Sequence, residues 1–201
     1  MKITALKQQI KNTERVSVFV DDEYSFSLSL NEIVTHKLKK DTDLSAAELK
    51  KFKKISADGK LRARALEWLL IRLHSEREFR DYLYRKKVEP EQIENIVAEF
   101  VKKGYIDDVK FARWFIELQA RRGKSNRAIR SELYKKGISG EMTDDNLATD
   151  SGNEIERLKA VISKKQVLSR YKNNQVKFIK YLTSQGFNYN DVKDGLKQVD
   201  D

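Results

Sequence analysis

The sequence predicts a mainly α-helical protein, in which tandem three-helix repeats form an elongated array after a small N-terminal antiparallel β-sheet and helix. Apolar residues alternate only within the first 30 residues, follow helical spacing from about residue 60 onward, and recur in a pattern offset by 50 and then 49 residues. We therefore expect four parts: a sheet and helix module at 1–58, and repeats at 59–106, 107–150 and 151–201.

The N-terminal module is predicted from an alternating strand pattern. RVSVFVDDEYSFSLSL predicts a hairpin that turns at Asp21-Asp22-Glu23, and ITALKQ predicts a third strand. SAAEL predicts a covering helix, because Ser45 and Glu48 have the spacing of a capping box. We expect the buried face of the module to comprise Val16, Val18, Val20, Tyr24, Phe26, Leu28 and Leu30 on the hairpin, with Leu49, Phe52 and Ile55 on the helix.

The repeats share a signature around one helix. A capping residue starts this helix, two apolar residues four positions apart face the core, and a residue in the left-handed conformation ends it. The aligned sets are Ser75, Phe79, Leu83, Lys87 and Val88; Ser125, Ile129, Leu133, Gly137 and Ile138; and Asn174, Phe178, Leu182, Gly186 and Phe187. Three helices fit each copy, the first of them beginning near residues 60, 108 and 154.

Further apolar stripes predict the cores of the repeats. They comprise Leu66, Leu69, Leu70 and Leu73; Ile93, Ile96, Val97 and Phe100; and Phe111, Trp114, Phe115 and Leu118. GYIDD at residues 104–108 is interpreted as a joint, in which Gly104 ends one helix and Asp107 caps the next. The second repeat departs from the pattern after Ile138, since SGEMTDDNLATDSGN predicts a short, weak helix that runs into a flexible linker.

Composition limits the classes of function. The chain has no Cys and two His, which disfavours disulfides, thiol chemistry and structural zinc. Because it has neither a membrane-spanning apolar segment nor a signal peptide, we expect a cytoplasmic protein without membrane contact. Residues 60–137 contain 20 of the 41 Lys and Arg but only 12 of the 31 acidic residues, so the basic charge is concentrated where nucleic acid or an acidic protein could bind.

No catalytic, metal or cofactor site is predicted. RRGKSNR lacks the first glycine and the preceding strand of a phosphate-binding loop, so Gly123 and Lys124 are interpreted as a turn and Ser125 as a cap. Asp107 and Asp108 lack further carboxylates that could complete a metal site. His36 and His74 are interpreted as surface or junction residues rather than general bases.

A basic helix face recurs in the first two repeats. Arg77, Arg80 and Tyr84 occupy the positions that Arg127, Arg130 and Tyr134 occupy 50 residues later, whereas the third repeat has Val176, Ile179 and Thr183 there. Arginine can grip phosphates or carboxylates with two hydrogen bonds, and tyrosine can stack on bases. An ordinary solvated helix face with i,i+4 ion pairs is the alternative.

These residues resemble the RecX family of regulators of the bacterial recombinase RecA. The resemblance lies in ALEWLLIRLHSEREFRDYLYRKKV, KKGYIDDVKFARWFIELQARRGKSNRAIRSELYKKGI and VKFIKYLTSQGF, and in the hairpin NTERVSVFVDDEYSFSLSLNEIV. It implies a monomeric, non-enzymatic protein without cofactors that binds the RecA filament and single-stranded or double-stranded DNA, and inhibits RecA ATPase, strand exchange and filament growth. The expected contacts are Arg77, Arg80, Tyr84, Arg121, Arg122, Lys124, Arg127, Arg130 and Tyr134.

Two other functions remain open from sequence. A helical repeat protein could bind nucleic acid without sequence preference and without a RecA partner, in which case its affinity would fall steeply with salt. An enzyme such as a nuclease would instead show metal-dependent turnover.

Overall fold

A computed structural model describes residues 1–149, 154–172 and 174–200, which form two compact units, Met1–Leu70 and Ile71–Asp201. The strands of the first unit are β1 (Ile3–Gln8), β2 (Arg15–Val20) and β3 (Glu23–Ser29), and its helices are α1 (Leu30–Thr35) and α2 (Ala46–Leu70). The second unit contains α3 (Glu76–Arg85), α4 (Pro90–Lys102), α5 (Asp108–Arg121), α6 (Asn126–Lys135), α7 (Gly140–Thr149), α8 (Glu154–Gln166), α9 (Ser169–Lys172), α10 (Gln175–Ser184) and α11 (Tyr189–Asp200).

The predicted hairpin and third strand are confirmed. The strands form an antiparallel sheet in the order β1-β2-β3. Asp21 and Asp22 make the tight turn between β2 and β3 with φ angles of 48° and 68°, a conformation that Asp tolerates better than most residues.

Two residues of the predicted buried face are wrong. Tyr24 and Leu30 are 51% and 40% exposed. The register shifts between Val18 and Phe19, so that Phe26 stays opposite Val18 while Tyr24 comes opposite Phe19 on the outer face. Leu30 is not in the sheet, because it begins α1.

The sheet packs its inner face under α2. The core of this unit comprises Ile3, Val18, Val20, Phe26, Leu28, Leu38, Leu44 and Phe52, with Leu49 and Ile55 packed against it. The predicted capping box before α2 is confirmed, since the Glu48 amide donates to Ser45 Oγ and Glu48 Oε2 accepts from the Ser45 amide at 2.9 Å.

The predicted start of a separate helix near residue 60 is wrong. The covering helix continues through Gly59 as α2 and ends at Leu70, so the expected boundary between 58 and 59 lies within one helix. Glycine weakens a helix by only about 1 kcal/mol and does not break it as proline does. Leu70 is 72% exposed and Leu73 lies beyond the helix, so the expected core stripe of α2 fails at both residues.

The repeated signature is confirmed in the second unit. α3, α6 and α10 begin after the predicted caps Ser75, Ser125 and Asn174, whose side chains accept from the backbone amides three residues on. The two predicted core positions of each helix are buried, and the residues that follow the helices have positive φ angles of 58° at Lys87, 86° at Gly137 and 98° at Gly186. We call α3, α6 and α10 the second helices.

The joint at GYIDD is also confirmed. α4 ends before Gly104, whose φ is 73°, and Asp107 caps α5 by accepting from the Lys110 amide at 3.0 Å. This hydrogen bond, acting against slight burial, holds the pKa of Asp107 below its usual value. α5 and α8 begin at Asp108 and Glu154, the positions expected for the first helices.

α7 is the short helix expected in the second repeat, and the predicted linker at 150–153 lies outside the described residues. Its inner face is partly polar, because Thr143 and Asn146 stand beside the core residue Leu147, where α4 has Ile93 and Ile96. Thr143 Oγ1 donates to the Ser139 carbonyl at 2.8 Å, and Asn146 donates to the Met142 carbonyl at 2.7 Å. Both buried side chains therefore have hydrogen-bond partners, as buried polar groups require.

Candidate interaction surface

The second helices carry most of the side chains that the sequence singled out. Arg77 and Arg127 are exposed on the first turns of α3 and α6, and the Tyr84 and Tyr134 side chains are 53% and 75% exposed two turns later. Each Arg is seven residues before its Tyr, which places both on one face of the helix. The structure therefore places an exposed cation and an exposed ring at matching positions on two consecutive repeats.

Arg80 and Arg130 are engaged within their own repeats. Arg80 contacts Glu94 on α4 and donates from Nε to Glu76 at 2.9 Å. Arg130 donates from Nε to Asp144 on α7 at 2.7 Å. Glu94 and Asp144 are 50 residues apart, as are Arg80 and Arg130. Equivalent ion pairs therefore join α3 to α4 in the first repeat and α6 to α7 in the second. Both side chains thus have a carboxylate partner within their own repeat, while Arg130 is exposed and Arg80 half-buried, and their contact with a binding partner stays a prediction.

Consecutive repeats are joined by hydrogen bonds at equivalent positions, which we call the junctions. At the first junction Ser75 Oγ donates to the Lys136 carbonyl at 2.7 Å, and the Glu76 amide donates to Asp108 at 2.8 Å. At the second, the Ser125 amide donates to the carbonyl of Gln185 at 3.0 Å, and the Asn126 amide donates to Glu154 at 3.0 Å. An acidic residue that opens the first helix of one repeat thus binds the start of the second helix in the repeat before it.

Arg77 and Arg127 lie at these junctions. The stem of Arg77 packs on Gly137, where an added Cβ would come within 2.8 Å of Arg77 Cβ. Arg127 donates from Nε to the Gly186 carbonyl at 3.1 Å. Both arginines therefore have their stems or inner nitrogens fixed by the next repeat while their side chains remain exposed to solvent.

Glu78 adds a charged network to the first junction. It accepts from Arg72 at 2.9 Å and from Lys136 Nζ at 2.5 Å, and His74 Nδ1 lies 3.2 Å away. Partial burial raises the pKa of Glu78, but the hydrogen bonds from Arg72 and Lys136 and their charges outweigh this and lower the pKa to about 2. The second junction has Ala128 and Gln185 at the positions of Glu78 and Lys136, so it lacks the counterpart of this ion pair.

The cations predicted around the α5–α6 turn have different surroundings. Arg121 pairs with Glu117 one turn earlier on α5, and Arg122 is exposed. Lys124 is half-buried, and its carbonyl accepts from Arg157 on α8 at 2.9 Å. Gly123 has a φ of 77° and packs against Val161 of α8, so this segment is the predicted turn and not a phosphate-binding loop.

Sequence reasoning missed the residues that connect the repeats. No connecting role was predicted for Asp108, Glu154, Glu78 or Lys136, because each binds a partner between 28 and 58 residues away in sequence. The recurrence of an acidic residue at the start of the first helices was the signal that could have indicated Asp108 and Glu154. Burial raises the pKa of Asp108, and the nearby charges of Glu76 and Asp107 add to this effect.

Within the described residues, no group of three or more His, Cys, Asp and Glu side chains is placed to hold a metal ion. His74 is buried at the first junction, and the neighbouring Ser75 hydroxyl donates to Lys136 instead of pairing with it. No helix in the described part of the chain is both long and apolar enough to cross a bilayer.

The architecture defines a class: helical-repeat proteins with a small N-terminal sheet and a charged surface on successive repeats. Family models match residues 1–45 as the regulatory protein RecX N-terminal domain, 62–100 as the first RecX three-helix domain and 107–147 as the second. The chain therefore belongs to the RecX family of regulatory proteins.

Individual relatives agree with this assignment. The regulatory protein RecX of Listeria innocua is 32% identical over 192 residues, which are 93% of this chain and 71% of that protein. The RecX of Lactobacillus johnsonii is 33% identical over 191 residues, or 92% and 70% of the two chains. That of Listeria welshimeri is 35% identical over 143 residues, or 71% and 53%.

Two solved structures have the same fold. A crystal structure of a regulatory protein RecX superposes with a TM-score of 0.70 at 24% identity, covering 96% of this chain and 98% of the other. The crystal structure of RecX from Lactobacillus salivarius gives a TM-score of 0.57 at 23% identity, covering 71% and 96%.

Proposed function

We propose that this protein is a cytoplasmic, monomeric, non-enzymatic regulator that binds a RecA–single-stranded-DNA filament and inhibits its ATPase, strand exchange and growth. The observation that carries the proposal is the recurrence of Arg77 and Tyr84 as Arg127 and Tyr134, exposed at the same positions on two repeats that are joined to each other at the first junction. Membership of the RecX family of regulatory proteins supports it.

The mode of action follows from the repetition. A filament presents the same surface at regular intervals, and a chain of joined repeats can bind several of these intervals at once. Binding then favours whichever filament state the repeats fit best, in proportion to the difference in affinity between states. A state in which adjacent protomers are held apart or fixed in rotation hydrolyses ATP and extends more slowly.

The proposed contacts are Arg77, Arg127, Arg122, Lys124, Tyr84 and Tyr134, with Arg121 at the edge of the surface. Arg80 and Arg130 are further proposed contacts, and their bonds to Glu94 on α4 and Asp144 on α7 also hold α3 and α6 against those helices. Bidentate contacts from arginine suit either phosphates or the carboxylates of a protein partner.

The test is a titration of this protein into single-stranded-DNA-dependent ATP hydrolysis by RecA from the same organism. Binding to the same DNA without RecA is followed in parallel, at the same salt concentration. We expect inhibition at protein concentrations well below those that coat naked DNA. An unchanged ATPase rate at concentrations that saturate the DNA would contradict the proposal.

Variants assign the inhibition to the surface. Arg77→Gln with Arg127→Gln should raise the concentration for half-inhibition by about tenfold or more, because two charge-assisted contacts are lost. Lys193→Gln with Lys197→Gln is the matched control, since both are exposed cations on α11 of the third repeat and the pair likewise removes two charges. Equal effects of the control and the double variant would attribute the inhibition to net charge alone.

A second candidate function is nucleic-acid binding without sequence preference and without RecA. The formal charge of +10 favours it, because basic surfaces bind phosphates. In that case the protein would inhibit the ATPase only by removing DNA from RecA. The Arg77→Gln, Arg127→Gln variant would then lose affinity for naked DNA by the same factor as it loses potency in ATPase inhibition.

A further inference from the structure

The outer face of the N-terminal sheet carries an ordered pattern across its three strands. The register places Ala5, Phe19 and Tyr24 side by side in one row. The next row is Lys7, Ser17 and Ser27. The row of apolar and aromatic residues is therefore bordered by a row of hydroxyl groups and a cation, with side chains on the same face of the sheet.

The aromatic pair is flanked by two lysines. The rings of Phe19 and Tyr24 meet edge to face, with centroids 6.1 Å apart at an angle of 79°. Lys7 Nζ lies 5.0 Å from the centre of the Phe19 ring, and Lys60 Nζ, from α2, lies 5.8 Å from that of Tyr24. Lys60 also donates to the Tyr24 hydroxyl at 3.2 Å.

The row of Phe19 and Tyr24 is accessible and locally positive, whereas Ser27 in the next row is buried. Tyr24 is 51% exposed, Phe19 is half-buried, and Lys7 and Lys60 are exposed. Arg15 adds a third cation, which is half-buried and donates from Nη2 to the carbonyl and the hydroxyl of Ser27. Burial raises the pKa of Tyr24, but hydrogen bonds from Lys60 and Ser27 and the charges of Lys60 and Arg15 outweigh it and lower the pKa.

We propose that this outer face is a second binding site, for single-stranded nucleic acid, in which bases stack on Phe19 and Tyr24 while Lys7, Lys60 and Arg15 bind the phosphates. Sheets that carry aromatic side chains next to lysine and arginine bind single strands in this way, because each base offers a flat face and each linkage offers a charge. Lys7 and Lys60 stay on the face as they move from ring to phosphate.

The acidic turn determines the direction in which the bound nucleic acid crosses the sheet. Asp22 and Glu23 are exposed at the end of the hairpin, and Asp21 accepts from the Lys2 amide at 2.8 Å. A nucleic-acid backbone that ran along β2 towards the turn would come close to these carboxylates. A nucleic-acid chain that crosses the three β-strands along the rows passes the cations instead. We do not expect this site to bind a nucleic-acid duplex, because the bases of a duplex are already stacked on one another.

The test uses the full chain and a fluorescent oligothymidylate of 15 nucleotides, followed by anisotropy over a series of salt concentrations. Phe19→Leu with Tyr24→Leu removes the rings but keeps apolar side chains of similar size. We expect about tenfold weaker binding, within the range for loss of base stacking, with no change in the slope of log K against log salt. Lys7→Gln and Lys60→Gln should each reduce that slope by about 0.7.

Tyr189→Leu is the matched control, since Tyr189 on the third repeat is 50% exposed and has Lys193 4.9 Å from its ring centre. Circular dichroism melts establish that each variant is folded. Unchanged affinity of the Phe19 and Tyr24 variant, equal loss in the control, or no binding by the unaltered chain would overturn the proposal. The proposal would also be overturned if the Phe19 and Tyr24 variant lost binding to a polyglutamate peptide but not to the oligothymidylate. That result would assign the face to an acidic protein partner.

Discussion

At the first junction, Glu78 binds Arg72 ahead of α3 and Lys136 at the end of α6, so one carboxylate joins two repeats. Its pKa of about 2 lies below the ordinary value of 4.5 because the ionised form is preferentially stabilised in the folded protein. The stabilisation is therefore complete above about pH 4.5 and is lost as the pH falls towards 2.

We expect Glu78→Gln to lower the free energy of unfolding at pH 7 by on the order of 2–3 kcal/mol. Between pH 4.5 and 2 the original chain should lose this advantage, so that the two stabilities converge. Urea unfolding followed by circular dichroism at several pH values measures the difference. Glu132→Gln, on the neighbouring helix α6, is the control. A difference that stays constant down to pH 2 would contradict the assigned role of the charge.

Residue-level roles were only partly predictable. The caps Ser75, Ser125 and Asp107 could be predicted, because a cap acts on amides two or three residues away. The ion pair of Arg80 with Glu94 could not, because Glu94 comes next to Arg80 only after α4 folds back against α3. A basic residue on a helix face gives the same sequence signal whether its partner is a DNA phosphate or a carboxylate of the same chain.

At the scale of elements, the turns that end the second helices are where the repeats meet. Gly186 has a φ of 98°, and an added Cβ would contact Ser125 Oγ and come within 2.7 Å of Ala128 Cβ on α6. Gly104 has a φ of 73° but open space around it. A substitution at Gly104 therefore tests backbone strain alone, whereas one at Gly186 tests backbone strain together with close packing between repeats.

Gly104→Ala should destabilise the protein by only about 1–2 kcal/mol, the cost of a left-handed conformation for a residue with a Cβ. Gly186→Ala should cost at least about 1–3 kcal/mol more, because α6 and α10 must also move apart. Urea denaturation of both variants gives the comparison. Equal losses of stability would mean that the close approach at Gly186 is not rigid.

The elements themselves were predicted more fully than their limits. Helical spacing and caps are local signals, so the second helices, the joint at GYIDD and the first helices at Asp108 and Glu154 could be read from the sequence. The continuity of α2 through Gly59 could not, because the change of pattern near residue 60 has the same appearance in one helix as in two. The shift at Val18 and Phe19 depends on the pairing of strands, which alternation alone does not determine.

At the scale of the molecule, charge divides the three repeats. The first two carry arginine at the exposed position of the second helix, whereas the third has Val176, which is 65% exposed. The first junction is held by the ion pair of Glu78 with Lys136, whereas the second is held by hydrogen bonds that include the Glu154 carboxylate and the Arg157 guanidinium. In the proposed complex the first two repeats therefore make the electrostatic contacts, and the third extends the array without adding to them.

Electron cryo-microscopy of this protein bound to a RecA–single-stranded-DNA filament tests the central proposal most directly. The account predicts one chain lying across adjacent protomers, with α3 and α6 facing the filament and Arg77 and Arg127 at hydrogen-bonding distance from phosphates or carboxylates. Filaments that remain undecorated at saturating protein would contradict it. So would decoration in which α3 and α6 face solvent.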